Sequence, residues 1–388
     1  MDSSIMPTYG RQDISFVKGE GSWLIDSKGN RYLDALSGIA VVILGHANQA
    51  VADAIKNQAN QLIHTSNLYR IPNQEKLADQ LQRISGMDNM FFGNSGAEAN
   101  ECAIKIARLF GNRKSIKNPL IVVADSSFHG RTLATLTATG SRKVHAGFEP
   151  LVDGFIRVPF NDLNAIQNIA ENNKNVVSIF VEPIQGEGGI RIPDRNYLQG
   201  LRKICDDNEW LLMLDEIQTG NGRTGSFFCY QNYDVCPDVA TLAKGLGNGL
   251  PIGVCLARGK ASELMQPGNH GSTFGGNPLV CQVASTVLDQ IHKLNLTKRA
   301  EEVGARMVKI FRGRLGDLNA VKEIRGMGLM IGIELNKPCP ELVEIALGKG
   351  LLINVTAENV IRLLPPLTIS DKEADNICEI VCELVESS

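Results

Sequence analysis

No uninterrupted apolar run in the 388-residue chain reaches eighteen residues, and the opening MDSSIMPTYGRQDISF has no charged segment leading into an apolar one. A membrane-spanning or secreted product is therefore not expected. Long basic blocks are missing too: 39 Lys and Arg against 42 Asp and Glu leave a net charge of −3. Nucleic acid is not an expected partner on that balance. The nine cysteines include no C-x-x-C pair, and their odd number is scattered through a large chain. They read as reduced core residues of a cytoplasmic protein, not as a disulfide framework or a zinc site. No internal repeat, low-complexity tract or linker interrupts the chain. At this length about three quarters of the unfolded surface is buried on folding, so no covalent staple is needed.

What is present is a repeated pattern of short apolar run, Gly-rich or polar turn, and helical spacing. The runs are NMFF (Asn89 to Phe92), LIVVA (Leu120 to Ala124), VVSIFV (Val176 to Val181), WLLML (Trp210 to Leu214), DVATLA (Asp238 to Ala243) and IGVCLA (Ile252 to Ala257). Near-continuous Val, Ile and Leu without alternation predicts strands buried on both faces, hence a mostly parallel sheet covered by helices. That is an α/β domain of the doubly wound kind, expected over residues 51–275. The ends differ in style. Lys28-Gly29-Asn30 between two apolar-aromatic segments predicts a hairpin. Beyond Pro278, helical spacing of Val280, Val283, Ala284 and Val287 leads into IRGMGLMIGIEL and VIRLLPPL. Residues 1–50 and 276–388 are expected to form a smaller α+β domain together.

Ligands of such sheets bind beyond the carboxyl ends of the strands, so the residues after each run carry the chemistry. NMFF is followed by GNSGAEANECAIKIARLF, a glycine-rich turn running into a helix. Its first N–H groups suit an anion, although Ser95 and Glu98 also read as a plain capping box. LIVVA is followed by Phe128, His129 and Arg131, a ring that could stack and a cation that could hold a carboxylate. VVSIFV is followed by Glu182 in EPIQGEGG, and WLLML by Asp215 and Glu216. DVATLA is followed by Lys244. A lysine at such a place is costly unless it is paired or chemically engaged. GSTFGGNP adds Ser272 and Thr273 in a turn.

One motif points elsewhere. Gly220, Gly222 and Gly225 in LLMLDEIQTGNGRTG spell G-x-G-x-x-G. A dinucleotide turn needs a helix directly behind its glycines. Here SFFCYQNYDVCPDV follows, with no helical period, and Asp215 and Glu216 would repel a pyrophosphate. The joint pattern of a phosphate-binding helix start, a strand-end Asp, a strand-end Lys and an aromatic ring is instead what pyridoxal phosphate requires. Its aldehyde needs a lysine, its ring nitrogen a carboxylate, its phosphate neutral donors, and its face a stacking partner.

The chain resembles the class III aminotransferases, pyridoxal-phosphate enzymes of fold type I, from about Gly19 to Pro366. The resemblance is carried by GSWLIDSKGNRYLDALSGIAVVILGH, FFGNSGAEANECAIKIAR, FHGRTLATLTATG, VEPIQGEGG, LLMLDEIQTGNGRTG, LAKGLGNGLPIG, GSTFGGNPL and IRGMGLMIGIEL. It implies a seven-stranded, mostly parallel sheet and a homodimer with shared active sites. It implies that Lys244 bonds the cofactor aldehyde and Asp215 pairs with the ring nitrogen, while Gln218 reaches the phenolic oxygen. Ser95, Gly96, Ala97, Glu216 and Ile217 join the cofactor site, Phe128 stacks on the ring, and Thr273 helps the phosphate from the partner subunit. Arg131 and Ser272 are implied to contact an acylated substrate, and Glu182 to pair with Arg362 as a gate that opens for 2-oxoglutarate or glutamate. The branch most resembled moves the terminal amino group of N2-acetylornithine to 2-oxoglutarate in arginine biosynthesis. Succinyldiaminopimelate, succinylornithine, ornithine and 4-aminobutyrate are the alternative donors. Where the family commonly has Asn this chain has Val42, and Asn48-Gln49 stand where His-Pro is common, so the substrate entrance departs from the pattern.

Overall fold

The computed structural model describes residues 4–387. The six apolar runs become strands within a residue or so of their expected ends: β1 (Asn89–Gly93), β2 (Leu120–Ala124), β4 (Val176–Val181), β5 (Leu211–Asp215), β6 (Val239–Leu242) and β7 (Gly253–Ala257). A seventh strand, β3 (Phe155–Val158), lies at one edge of the sheet, where three partly covered residues and one buried one leave little apolar signal in the sequence. The order across the sheet is β1-β7-β6-β5-β4-β2-β3. Only β7 runs against its neighbours, pairing antiparallel with both β1 and β6.

Every residue of β4, β5, β6 and β7 is buried. The side chains alternate between two cores. Ile121, Val123, Phe180, Leu211 and Met213 face the 18-residue helix Gly96–Arg113, while Val122, Ile179, Val181, Leu212 and Leu214 face the larger core on the other side. Two apolar faces explain why the runs show no period of two. They also place the carboxyl ends of β1, β2, β4, β5 and β6 along one rim of the sheet. The reversed strand β7 starts at that rim, where a Cβ on Gly253 would lie only 2.0 Å from the Ser95 carbonyl oxygen. Glycine is what lets the turn before the Gly96–Arg113 helix sit down on the sheet.

The two chain ends share structure. Trp23–Asp26 and Arg31–Asp34 form the expected hairpin, with Ile25 opposite Arg31. The sheet is completed by Phe16–Glu20, antiparallel to Trp23–Asp26, and by Leu351–Leu352, which pairs in parallel with Arg31–Asp34. A second small sheet, in the order Val321–Met327, Met330–Leu335, Val360–Leu363, Asn354–Thr356, is antiparallel throughout. The helix beyond position 277 spans Pro278–Lys293, with Asn277 capping the Val280 N–H and Val280, Val283, Ala284 and Val287 buried. None of the nine cysteines is in a disulfide, and all but Cys236 are buried. Among the described residues no helix is long and apolar enough to cross a membrane.

The G-N-G-R-T-G stretch is a connecting loop. No helix follows it closely, only a five-residue 3-10 turn at Cys229–Tyr233. Its Arg223 is 1% exposed and donates to the Leu329 and Pro365 carbonyls at 3.0 and 2.5 Å. The loop therefore ties the central sheet to the C-terminal third of the chain, and burial pushes the Arg223 guanidinium down to about 9.

Candidate active site

The loops at the strand ends enclose a cavity of about 460 Å³. Ser95, Gly96, Ala97, Phe128, Arg131, Glu182, Asp215, Ile217, Gln218 and Lys244 line it together. They come from five separate stretches of sequence, joined only because each follows a parallel strand.

Lys244 stands two residues beyond the end of β6 with φ of 45°, a left-handed conformation costing about 1–3 kcal/mol in a non-glycine residue. Its amine has no hydrogen bond or ion pair among the described residues. Burial pushes it down to about 8, opposed by Glu187 and reinforced by the charge of Arg362. A lysine in this state is uncharged about a tenth of the time at pH 7, far more than a solvated one, so it can attack a carbonyl.

Asp215, the last residue of β5, is held by two donors on one oxygen: Asn100 Nδ2 at 2.8 Å and His129 Nδ1 at 2.8 Å. The same Asn100 amide donates to the His129 carbonyl, and its oxygen accepts from Thr241, which fixes the amide's orientation. The His129 ring stacks on Phe180 with centroids 4.4 Å apart. The carboxylate is thus an oriented negative charge in a largely apolar cavity. Asn100 carried no signal in the sequence beyond being a polar residue on the buried face of a helix, and His129 was visible only as a neighbour of Phe128.

Ser95 caps the Gly96–Arg113 helix through the Glu98 N–H at 3.2 Å. The capping box is only half formed, because the Glu98 carboxylate turns back to the Asn94 backbone N–H and side-chain amide. Gly96 and Ala97 occupy the first turn, where N–H groups have no intrahelical acceptor and the helix dipole favours an anion.

Several expectations need correction. Glu182 does not pair with Arg362: it accepts from the Phe128 N–H at 3.0 Å and the Gly186 N–H at 3.2 Å. Burial, with Asp215 nearby, pushes its carboxyl well above the ordinary range. The partner of Arg362 is Glu187, five residues on in the same EPIQGEGG, at 2.5 Å. Burial favours the neutral acid there, but Arg362 and Lys244 hold the Glu187 carboxyl below its usual range. The first acid faces inward directly at the strand end, whereas the second reaches the arginine because the glycine-rich turn folds back. Glu216 does not line the cavity: it is fully buried on the other side of the chain, accepting from Thr219 and from the Tyr230 N–H at 2.9 Å. Ser272 also stands outside the cavity lining, its hydroxyl accepting from Asn94 Nδ2 at 3.0 Å and the Gly275 N–H at 3.1 Å. Thr273, expected to act from a partner subunit, needs no correction: it is exposed at the surface.

Arg362 is fully buried behind the lining residues. Its Nε donates to Asn354 at 2.9 Å, while Nη1 serves Glu187 and, at 3.4 Å, Gln218. Its Nη2 has no partner among the described residues. A buried charged donor left open is costly and fits an incoming carboxylate.

These groups fit pyridoxal phosphate: an unpaired amine, a pinned carboxylate, a helix start with free donors, and Phe128 on the wall between them. Comparison with known proteins agrees. The family model described as "Aminotransferase class-III" matches residues 6–385. An acetylornithine aminotransferase of Nitrosomonas europaea is 56% identical, over 99% of this chain and 98% of that protein. Acetylornithine aminotransferase 1 of Bordetella pertussis is 50% identical over 100% and 98%. Among solved structures, the ornithine aminotransferase of Toxoplasma gondii has a TM-score of 0.95 at 32% identity, covering 99% of this chain and 93% of that one. The acetylornithine aminotransferase of Elizabethkingia anophelis has a TM-score of 0.89 at 32% identity, over 98% and 96%. The chain belongs to the class III aminotransferases, enzymes whose cofactor is pyridoxal phosphate.

Proposed function

We propose that the enzyme moves the terminal amino group of N2-acetylornithine to 2-oxoglutarate, giving N-acetylglutamate 5-semialdehyde and glutamate in arginine biosynthesis. The observation that carries this reading is the buried Arg362, neutralised by Glu187 yet keeping one donor open, next to the Lys244 cavity. One site must accept a monocarboxylate amine and then a dicarboxylate. An arginine whose counter-charge can swing away meets both demands. The full-length similarity to acetylornithine aminotransferases supports the same donor.

When bound, the cofactor supplies an electron-accepting ring. The Gly96 and Ala97 N–H groups would hold its phosphate, helped by Ser95, while Phe128, Ile217 and Gln218 from the cavity lining would contact its ring. Asp215, held in place by His129 and Asn100, would pair with positive charge at the ring nitrogen. Lys244 Nζ would take the proton from the amine-bearing substrate carbon as general base and, as general acid, deliver it to the cofactor carbon instead. Arg131, which lies over the Phe128 ring at 5.6 Å, meets the carboxylate of the acylated donor.

A homodimer completes the site in this reading, with Ser272 and Thr273 reaching the partner's cavity. Leu68, Tyr69 and Phe274 are exposed at 87%, 70% and 62% beside that turn, an apolar surface that a second copy would cover. The cytoplasm is the proposed location, and residues 51–275 the proposed cofactor-binding unit. A donor panel with 2-oxoglutarate tests the substrate. N2-acetylornithine should give the highest kcat/KM among itself, ornithine, succinylornithine, succinyldiaminopimelate and 4-aminobutyrate, and a better donor in that set overturns the proposal.

A further inference from the structure

The turn that carries Glu187 is closed at its base by two backbone hydrogen bonds between Gln185 and Arg191, at 3.1 and 3.0 Å. Within it Gly189 has φ of 105° and Ile190 φ of 52°. The C-terminal antiparallel sheet grips this folded-back turn from outside. Thr356 Oγ1 donates to the Glu187 carbonyl at 2.6 Å. Arg325, 7% exposed on the Val321–Met327 strand, donates from Nη2 to the Gly189 carbonyl at 2.6 Å and from Nε to the Ile190 carbonyl at 2.9 Å. Its Nη1 faces away, toward Glu334 at 2.7 Å and Glu323 at 2.6 Å. The guanidinium is therefore a flat clamp, with two carbonyls on one side and two carboxylates on the other. Lysine has the charge for this place but not the fixed fork.

We propose that Arg325 is a positioning residue for donor specificity: by gripping the Gly189 and Ile190 carbonyls it keeps Glu187 seated on Arg362 until a dicarboxylate arrives. The proposal rests on the two-substrate reading of Arg362 given above. With the turn released, Glu187 spends less time on Arg362, and the open arginine favours any second carboxylate. Glutamate then gains against N2-acetylornithine, while the chemistry at Lys244 and Asp215 is untouched.

The test is steady-state kinetics on the holoenzyme with Arg325→Lys. The expected result is a KM for N2-acetylornithine raised about tenfold, no rise in the KM for glutamate, and kcat within about twofold. In a Glu187→Gln background the same substitution should leave the donor ratio where Glu187→Gln alone puts it, because the clamp acts through Glu187. A parallel loss with both donors, or an additive effect in the Glu187→Gln background, overturns the proposal by making Arg325 merely structural. Should Arg325→Lys fail to fold, Glu334→Gln, which removes one carboxylate behind the clamp, should shift the donor ratio in the same direction by a smaller factor; an unchanged ratio counts against the clamp. If the wild-type enzyme prefers another amine, the substrate reading fails by itself. The clamp is then tested with that amine against glutamate.

Discussion

The amine of Lys244 lends itself to a quantitative test. In water a lysine amine titrates near 10.5, and in this cavity burial brings it down to about 8. The difference of about 2.5 units means that near pH 7 the uncharged fraction is larger by about 300-fold, from roughly 0.03% to roughly 10%. Only the uncharged amine attacks the cofactor aldehyde. Enzyme stripped of cofactor should therefore take up pyridoxal phosphate at a rate that rises with pH, is half-maximal near pH 8 and levels off above about pH 9. Rapid mixing with detection of the new visible absorbance measures that profile. Glu187 is the leading carboxylate that holds proton on Lys244, and Arg362 opposes it. Glu187→Gln should consequently move the midpoint to lower pH. Uptake that keeps climbing tenfold per unit through pH 9.5 would refute the argument, since the amine would then behave as if fully solvated. A midpoint that rises in Glu187→Gln would refute the charge balance assigned to the cavity.

Asp215→Asn should retain measurable cofactor but lower kcat about 10²-fold or more, because the ring nitrogen loses its charge partner; absorbance titration and single-turnover rates separate the two effects. Glu187→Gln should shift preference toward glutamate by about tenfold or more in the ratio of kcat/KM, whereas Glu182→Gln should leave that ratio near its starting value and instead weaken cofactor retention through Phe128 and Gly186; equal ratios in the two variants would undo the correction. Burial pushes the Glu216 carboxyl from 4.5 up to about 7, so the folded state favours the protonated acid and its stabilising contribution fades as pH rises across that window. Glu216→Gln should therefore gain melting temperature relative to wild type between pH 5 and pH 8, against a penalty of roughly 3 kcal/mol from which one lost hydrogen bond of about 1 kcal/mol is subtracted. A relative melting temperature flat with pH would show that Glu216 does not carry this charge.

The central sheet was legible because burial on both faces writes itself into composition. A run such as VVSIFV has no alternation to confuse, and its neighbours in the sheet look alike for the same reason. Edge strand β3 was not legible: FIRV is short, includes an arginine and is half covered. The lysine and the aspartate were legible through a different signal. Lys244 and Asp215 are charges at the ends of apolar strands, where burial makes an idle charge costly.

The rim of the site was harder. Glu182 and Glu187 differ by five positions in one motif, and both are acids in a glycine-rich turn. Which one meets Arg362 depends on how the turn folds back, and that depends on Arg325 and Thr356 more than a hundred residues away. Nothing local distinguishes them. Asn100 and His129 are similar cases, since their role comes from meeting at Asp215 Oδ2 from two different strand-end segments. Glu216 shows the converse: it stands next to Asp215, and a strand's alternation sends it to the opposite side.

The sequence by itself determined the doubly wound sheet, the rim where its strands end, and the lysine and aspartate that stand there, because strand burial and the cost of buried charge are local properties. It determined equally that G-N-G-R-T-G is not a dinucleotide turn, since no helix follows to supply a dipole. Tertiary structure alone decided which acid neutralises Arg362, which donors pin Asp215, and how the C-terminal sheet grips the turn between them. Those are contacts between segments far apart in the chain, set by how the turn and the small sheets pack against the rim, and no spacing along the chain encodes such a meeting.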